Sequence, residues 1–350
     1  MMAYVGCRTT RERNANGHGL SVCTLDEQTG ALRQVQLIRG LVNPSYLAFD
    51  QTRTILFVVH GDRSEVSAFR IRNDGLLDYI NRQDTAGRNP VHLAVDATNQ
   101  FLLVANYATG SVACFPFAAD GTIGALCDLM DLPGAPGPHK TEQPCSHPHQ
   151  ILPDPQQRFF IVPDKGLDRT FVLALDAAAG KLHLHSSEGA RPGAGPRHAV
   201  FHPSGSMLFL LNELDSTVAR LAFDPSAGRL TSLEVAFTLP GNFFGANTGA
   251  GIVLTPCGGF VYASNRGHDS IACLHTGLAA RRFEAISWTP VGGKTPRFVT
   301  LAPNGEILYV ANERSDSITA FRIDQEDGSL TSLGQVMETG SPVCILFHNP

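Results

Sequence analysis

The feature that most constrains this chain is an interval of 16 residues that recurs along it. A proline opens a short apolar run, and 16 positions later a polar residue closes the next one: Pro44 to His60, Pro90 to Asn106, Pro148 to Asp164, Pro196 to Asn212 and Pro296 to Asn312. Gly249 to Asn265 keeps the interval with glycine in the proline position. Six residues beyond each polar end stands a β-branched residue (Val66, Val112, Thr170, Val218, Ile271, Ile318), and three further on a large apolar one (Phe69, Phe115, Leu173, Leu221, Leu274, Phe321). Six copies in one register define a repeat architecture.

The copies begin at 44, 90, 148, 196, 249 and 296, a period of 46 to 58 residues that suits four short strands. In the second copy "VHLAV" leads through a polar turn to "FLLVAN" and then to "SVACFPF". Tight turns follow at Asp74-Gly75, Asp120-Gly121, Ala179-Gly180, Ala227-Gly228 and Asp327-Gly328, where glycine tolerates the positive φ that a hairpin needs. A four-stranded meander cannot bury both its faces alone, but sheets stacked radially about an axis can. The C-terminal "GSPVCILFHNP" repeats only a first strand, and "AYVGC", "GLSVCTLD" and "ALRQVQLI" at the N-terminus supply the other three. The expectation is one all-β domain over residues 1–350: a seven-bladed β-propeller of four-stranded antiparallel blades, the last closed by strands from both termini, which leaves no free sheet edge.

Composition narrows the function. With 43% hydrophobic and 17% charged residues and a formal net charge of −5, the chain fits neither disorder nor a basic nucleic-acid surface. Eight cysteines lie scattered without a C-x-x-C pair, which argues against a zinc cage or a redox motif. The first residues lack the basic and apolar regions of a signal peptide, and no run of 18 apolar residues occurs, so a reduced, cytoplasmic setting is expected. The expected partner is a small anionic molecule, with no nucleic acid, no membrane and no cofactor. Two irregular stretches stand out: the Pro/Gly-rich segment 127–147, a lid or a surface excursion, and "FTLPGNFFGANTG" at 237–249, a second candidate wall.

The strand ends carry the candidate chemistry. Antiparallel pairing of the first two strands of the fourth copy brings Arg197 toward Asn212 and Glu213, and the shared register puts His149 and Arg297 at the same place in other copies. Lys165, Arg266 and Glu313 follow the second strands of theirs. These positions are expected to ring one mouth of a central channel. Arginines suit capture of carboxylate or phosphate, and a carboxylate beside them serves as a general base, although cationic neighbours lower its basicity. The catalytic candidates are His149, Arg197, Glu213 and Arg266. His147, Asp164, His198, Asn212 and Arg297 are candidates for holding substrate. Plainer readings stand beside these: a cross-strand pair for Arg197 and Glu213, packing between blades for His198 and His92, and solvated rim charges for Lys165 and Glu313. His147-x-His149 suits zinc, but no further ligands lie at convincing spacing, so no metal is expected.

"GAGPRHAVFHPSG…NELDS", "PHQILPDPQQRFFIVPDKGLDR" and "SNRGHDSI" resemble the seven-bladed lactonase family, which holds the propeller-type 6-phosphogluconolactonases and the carboxymuconate lactonizing enzymes. The resemblance covers nearly the whole chain. It implies a metal-independent site built from a histidine, two arginines and a glutamate, matching His149, Arg197, Glu213 and Arg266, and hydrolysis of a sugar lactone, 6-phosphogluconolactone first. A lactonizing cycloisomerase acting on an unsaturated diacid is the alternative, and a non-catalytic protein-binding propeller a third reading. The chain departs from the family at its start, where "YVGCRTT" replaces a Tyr-Val-Gly-Thr-Tyr-Thr-like strand, and its doubled histidine leaves His147 and His149 both open.

Overall fold

The computed structural model describes residues 1–276 and 283–349. They form seven four-stranded sheets, and the fold is a seven-bladed all-β propeller. Numbered along the chain, blades one to six span 44–84, 90–131, 152–189, 196–237, 248–290 and 296–338. Blade seven joins Pro342–His348 to Met2–Cys7, Leu20–Leu25 and Leu32–Ile38. Its closure is antiparallel, with Ala3 opposite Phe347 and Val5 opposite Ile345.

The 16-residue interval is the span between two directly paired residues. Pro44 faces His60, Pro90 faces Asn106, Gly249 faces Asn265 and Pro296 faces Asn312 across their strands, and Pro148 forms an isolated bridge to Asp164. In blades one, two and six the residue after the proline (Ser45, Val91, Arg297) is an extra residue that shifts the register. Such bulges bend a strand and re-aim one side chain. At Gly249 an added Cβ would meet Asn212 O at 2.9 Å, a close approach that explains the glycine in the proline position.

The chain divides into two compact units, one of 1–40, 198–222 and 232–349, the other of 41–197 and 223–231. In the first, apolar side chains pack in layers between neighbouring sheets: Tyr309, Ile318 and Phe347 in one, Tyr262, Ile271 and Phe321 in the next, Phe209, Leu211 and Val261 in a third. In the second, Phe57, Val104 and Phe115 form one layer, and Leu103, Phe160 and Phe171 another. The continuous apolar runs of the second strands, buried at every position, serve this sandwiching, since both faces of a blade meet apolar neighbours.

Two sequence expectations need correction. Segment 127–147 is not wholly an insertion, because Asp128–Asp131 pairs with Ser111–Pro116 as the fourth strand of blade two. Blade three's first strand shrinks to Leu152–Pro153. Pro163 is the cause: its carbonyl accepts from His149 N at 2.9 Å, but a proline nitrogen has no hydrogen to return the bond, so the ladder breaks there.

Candidate active site

In the first unit, Glu213 and Arg266 each follow or end the second strand of their blade. Arg266 Nη2 lies 3.2 Å from Glu213 Oε2 and donates to Gly249 O at 2.9 Å. Burial pulls the Arg266 pKa down from its ordinary value, and the nearby carboxylate of Glu213 opposes that shift. Arg297, from the bulge of blade six, sits 3.7 Å from Glu313 Oε2, and Arg8 Nε lies 4.0 Å from Oε1 of the same carboxylate. Those separations are ion pairs rather than hydrogen bonds. Burial alone would raise the Glu313 carboxyl, but Arg297, Arg8, Arg266 and Arg13 together outweigh it and hold it below its usual range. Three buried or half-buried guanidiniums thus face two carboxylates, an excess of positive charge suited to an anion.

In the second unit, Tyr107 organises the histidines. His147 stacks on its ring at 4.4 Å and shares a 2.7 Å hydrogen bond between Nδ1 and Tyr107 O, while His149 meets the ring edge-on at 5.4 Å. Lys165 Nζ donates to Tyr107 Oη at 3.2 Å and to Glu142 Oε2 at 2.6 Å. Arg197 is almost wholly buried, and its charge adds to burial in keeping His92 neutral. Gly166 permits the tight approach of the histidine segment, since a Cβ there would sit 1.8 Å from Cys145 O.

The structure therefore joins Glu213 with Arg266 and Arg297 with Glu313 in one unit, and groups His147, His149 and Lys165 about Tyr107 in the other. Three expectations change. The Asp164 side chain is fully buried and accepts from Ser146 Oγ and from the backbone N–H groups of His147, Gly166 and Leu167, so it holds the histidine loop instead of meeting a substrate. Asn212 Nδ2 donates to Thr217 Oγ1 at 2.9 Å, and Asn106 with Ser111, Asn265 with Ser270 and Asn312 with Ser317 repeat that bond. Asn212 is thus one copy of a structural clip between the second and third strands. Lys165 is buried, not a solvated rim charge. His198, like His92, is buried.

Sequence reasoning passed over Arg8, because "YVGCRTT" is where the chain departs from its family. It also passed over Asp168 and Asp269, each four residues past a polar strand end. Asp168 accepts from Gly193 N, Gly195 N and Gln143 Nε2 at 2.6 to 2.8 Å, and Asp269 accepts from Thr295 N at 2.9 Å. They fix the backbone just before Pro196-Arg197 and Pro296-Arg297. The four-residue offset was a repeat signal in plain view. Among the described residues no group of three or more His, Cys, Asp or Glu side chains is placed to hold a metal ion, and no helix is long and apolar enough to cross a membrane.

The repeated four-stranded sheets define a seven-bladed β-propeller. The chain matches the family model "Lactonase, 7-bladed beta-propeller" over residues 2–347 and belongs to that family. It is 32% identical over 350 residues to the 6-phosphogluconolactonase of Bacillus subtilis, covering 99% of each chain. With the 6-phosphogluconolactonase of Formosa agariphila it shares 31% identity over 349 residues, 95% of each chain. The structure of a periplasmic gluconolactonase from Pseudomonas aeruginosa aligns with a TM-score of 0.89 and 26% identity, covering 99% of this chain and 98% of that one. The protein is accordingly a lactonase. The cycloisomerase alternative finds no support among these relatives.

Proposed function

We propose that the protein hydrolyses 6-phosphogluconolactone to 6-phosphogluconate. The observation that carries this reading is the buried Glu213–Arg266 pair at 3.2 Å, flanked by more guanidinium than carboxylate charge; it is supported by the names of the two bacterial relatives. A lactone carbonyl attacked by water becomes a tetrahedral oxyanion, and preorganised cations stabilise that charge most where water is excluded. In this reading Glu213 takes the proton of the attacking water and Arg266 faces the developing oxyanion. Glu213 then passes that proton to the ring oxygen as the C–O bond breaks, so one water is consumed, the carboxylate is regenerated and one carboxylic acid appears. Arg297, whose charge acts on Arg266, adds to the positive field about that oxyanion. The test is acid release at constant pH from 6-phosphogluconolactone, read against its spontaneous opening. An acceleration proportional to enzyme supports the proposal, and a rate equal to the spontaneous one rejects it.

A further inference from the structure

We propose that Lys165 is the residue that recognises the substrate's phosphate, and that Glu142 is a built-in anion that occupies Lys165 until the phosphate displaces it. The inference rests on the lactonase reading above and deepens it.

Lys165 is an unusual lysine: its side chain is 4% exposed, whereas lysine heads normally remain in water. Contacts with Glu142 and Tyr107 help to hold its ammonium. Glu142 Oε2 lies at 2.6 Å, Tyr107 Oη at 3.2 Å, and the Tyr107 ring centre at 5.6 Å. The same ring meets His149 edge-on at 5.4 Å, so the ammonium sits one aromatic side chain from His149. The backbone is fixed as well, with Lys165 N donating to His147 O at 3.0 Å.

Glu142 is built differently. Its neighbour Gln143 is buried and clamped by Lys165 O at 2.8 Å and Asp168 Oδ1 at 2.7 Å. Glu142 itself is 46% exposed, so its carboxylate reaches Lys165 from the solvent side of a fixed loop and can swing away without moving that loop. One partner is buried and immobile and the other is exposed and replaceable. A phosphate monoester carries close to two negative charges at neutral pH, against one for a carboxylate, and lysine binds phosphate as a point charge. A phosphorylated ligand therefore outcompetes Glu142 for the ammonium, while an unphosphorylated sugar acid brings nothing to that place.

The test measures binding of 6-phosphogluconate and of gluconate to the full-length protein by calorimetry, alongside kcat and KM for the two corresponding lactones. Wild type is expected to bind 6-phosphogluconate at least tenfold more tightly than gluconate. Lys165→Met should reduce that ratio at least tenfold and shift the lactone preference through KM, with Lys165→Arg restoring part of both. Glu142→Gln, at an exposed position that does not endanger folding, should tighten 6-phosphogluconate about threefold or more by removing the competitor. An unchanged ratio in Lys165→Met, or unchanged or weaker binding in Glu142→Gln, overturns the inference. Binding is read without turnover, so a wild type that binds 6-phosphogluconate but leaves the lactone to open spontaneously defeats the functional reading alone.

Discussion

His92 shows what a single buried residue imposes. Burial first and the Arg197 charge second push its pKa down to about 3, so the folded ring is neutral, and its Nδ1 accepts from Ile151 N at 3.3 Å. The unfolded histidine titrates near its ordinary value of about 6.5. Stability from this residue is therefore complete above about pH 6.5 and is lost as pH falls toward about 3, because the unfolded chain gains a proton that the folded one refuses. His92→Gln keeps an acceptor for Ile151 without the titration, and urea midpoints taken from pH 7 to pH 4 should fall less steeply in this variant than in wild type. Equal slopes would remove His92 from the acid limb. Glu313 adds in the same direction, since its depressed carboxyl contributes stability above its ordinary range that disappears on acidification. The identities of Glu213, Arg266 and Arg297 as strand-end residues could be read from spacing alone. Arg8 could not, because its approach to Glu313 depends on how the first strand pairs with the last.

At the scale of elements, three turn aspartates tie a blade to the entry of the next. Asp168, Asp269 and Asp316 accept from Gly195 N, Thr295 N and Ser341 N, the residues immediately before Pro196, Pro296 and Pro342. Those three residues have positive φ values of 67°, 59° and 42°. Thr295 and Ser341 adopt the left-handed region without the freedom of glycine, at a cost that the aspartate bond helps offset. Asp168 satisfies three donors, two of them buried, and Asp168→Ala should cost about 2–4 kcal/mol, read from denaturant midpoints. A loss below about 0.5 kcal/mol would mean that the entry needs no such clip. The strand count was legible because the apolar pattern and the Gly turns repeat. The bulges at Ser45, Val91 and Arg297 were not, since an extra residue leaves no mark in composition and emerges only from the paired register. The same gap made Asn212 look like a rim group, when its bond to Thr217 recurs in other blades.

For the whole molecule, closure of blade seven is the step on which the ring depends. Phe347 is buried against Tyr309 with ring centres 4.9 Å apart, and Arg8 N donates to Ser341 O at 2.9 Å beside that closure. Phe347→Ala should therefore destabilise the fold by about 3–5 kcal/mol, and a near-neutral effect in equilibrium unfolding would contradict a packed closure. The seven-blade count was readable because the first strand and the other three are divided cleanly between the chain ends. The candidate site was readable only as a set of residue types, since charge pairing such as Glu213 with Arg266 needs side-chain geometry. The account stands most directly on Glu213 as the group that activates water. Turnover of 6-phosphogluconolactone by Glu213→Gln, corrected for spontaneous opening, should show kcat reduced at least 100-fold with KM within about threefold of wild type. A kcat equal to that of wild type would contradict it.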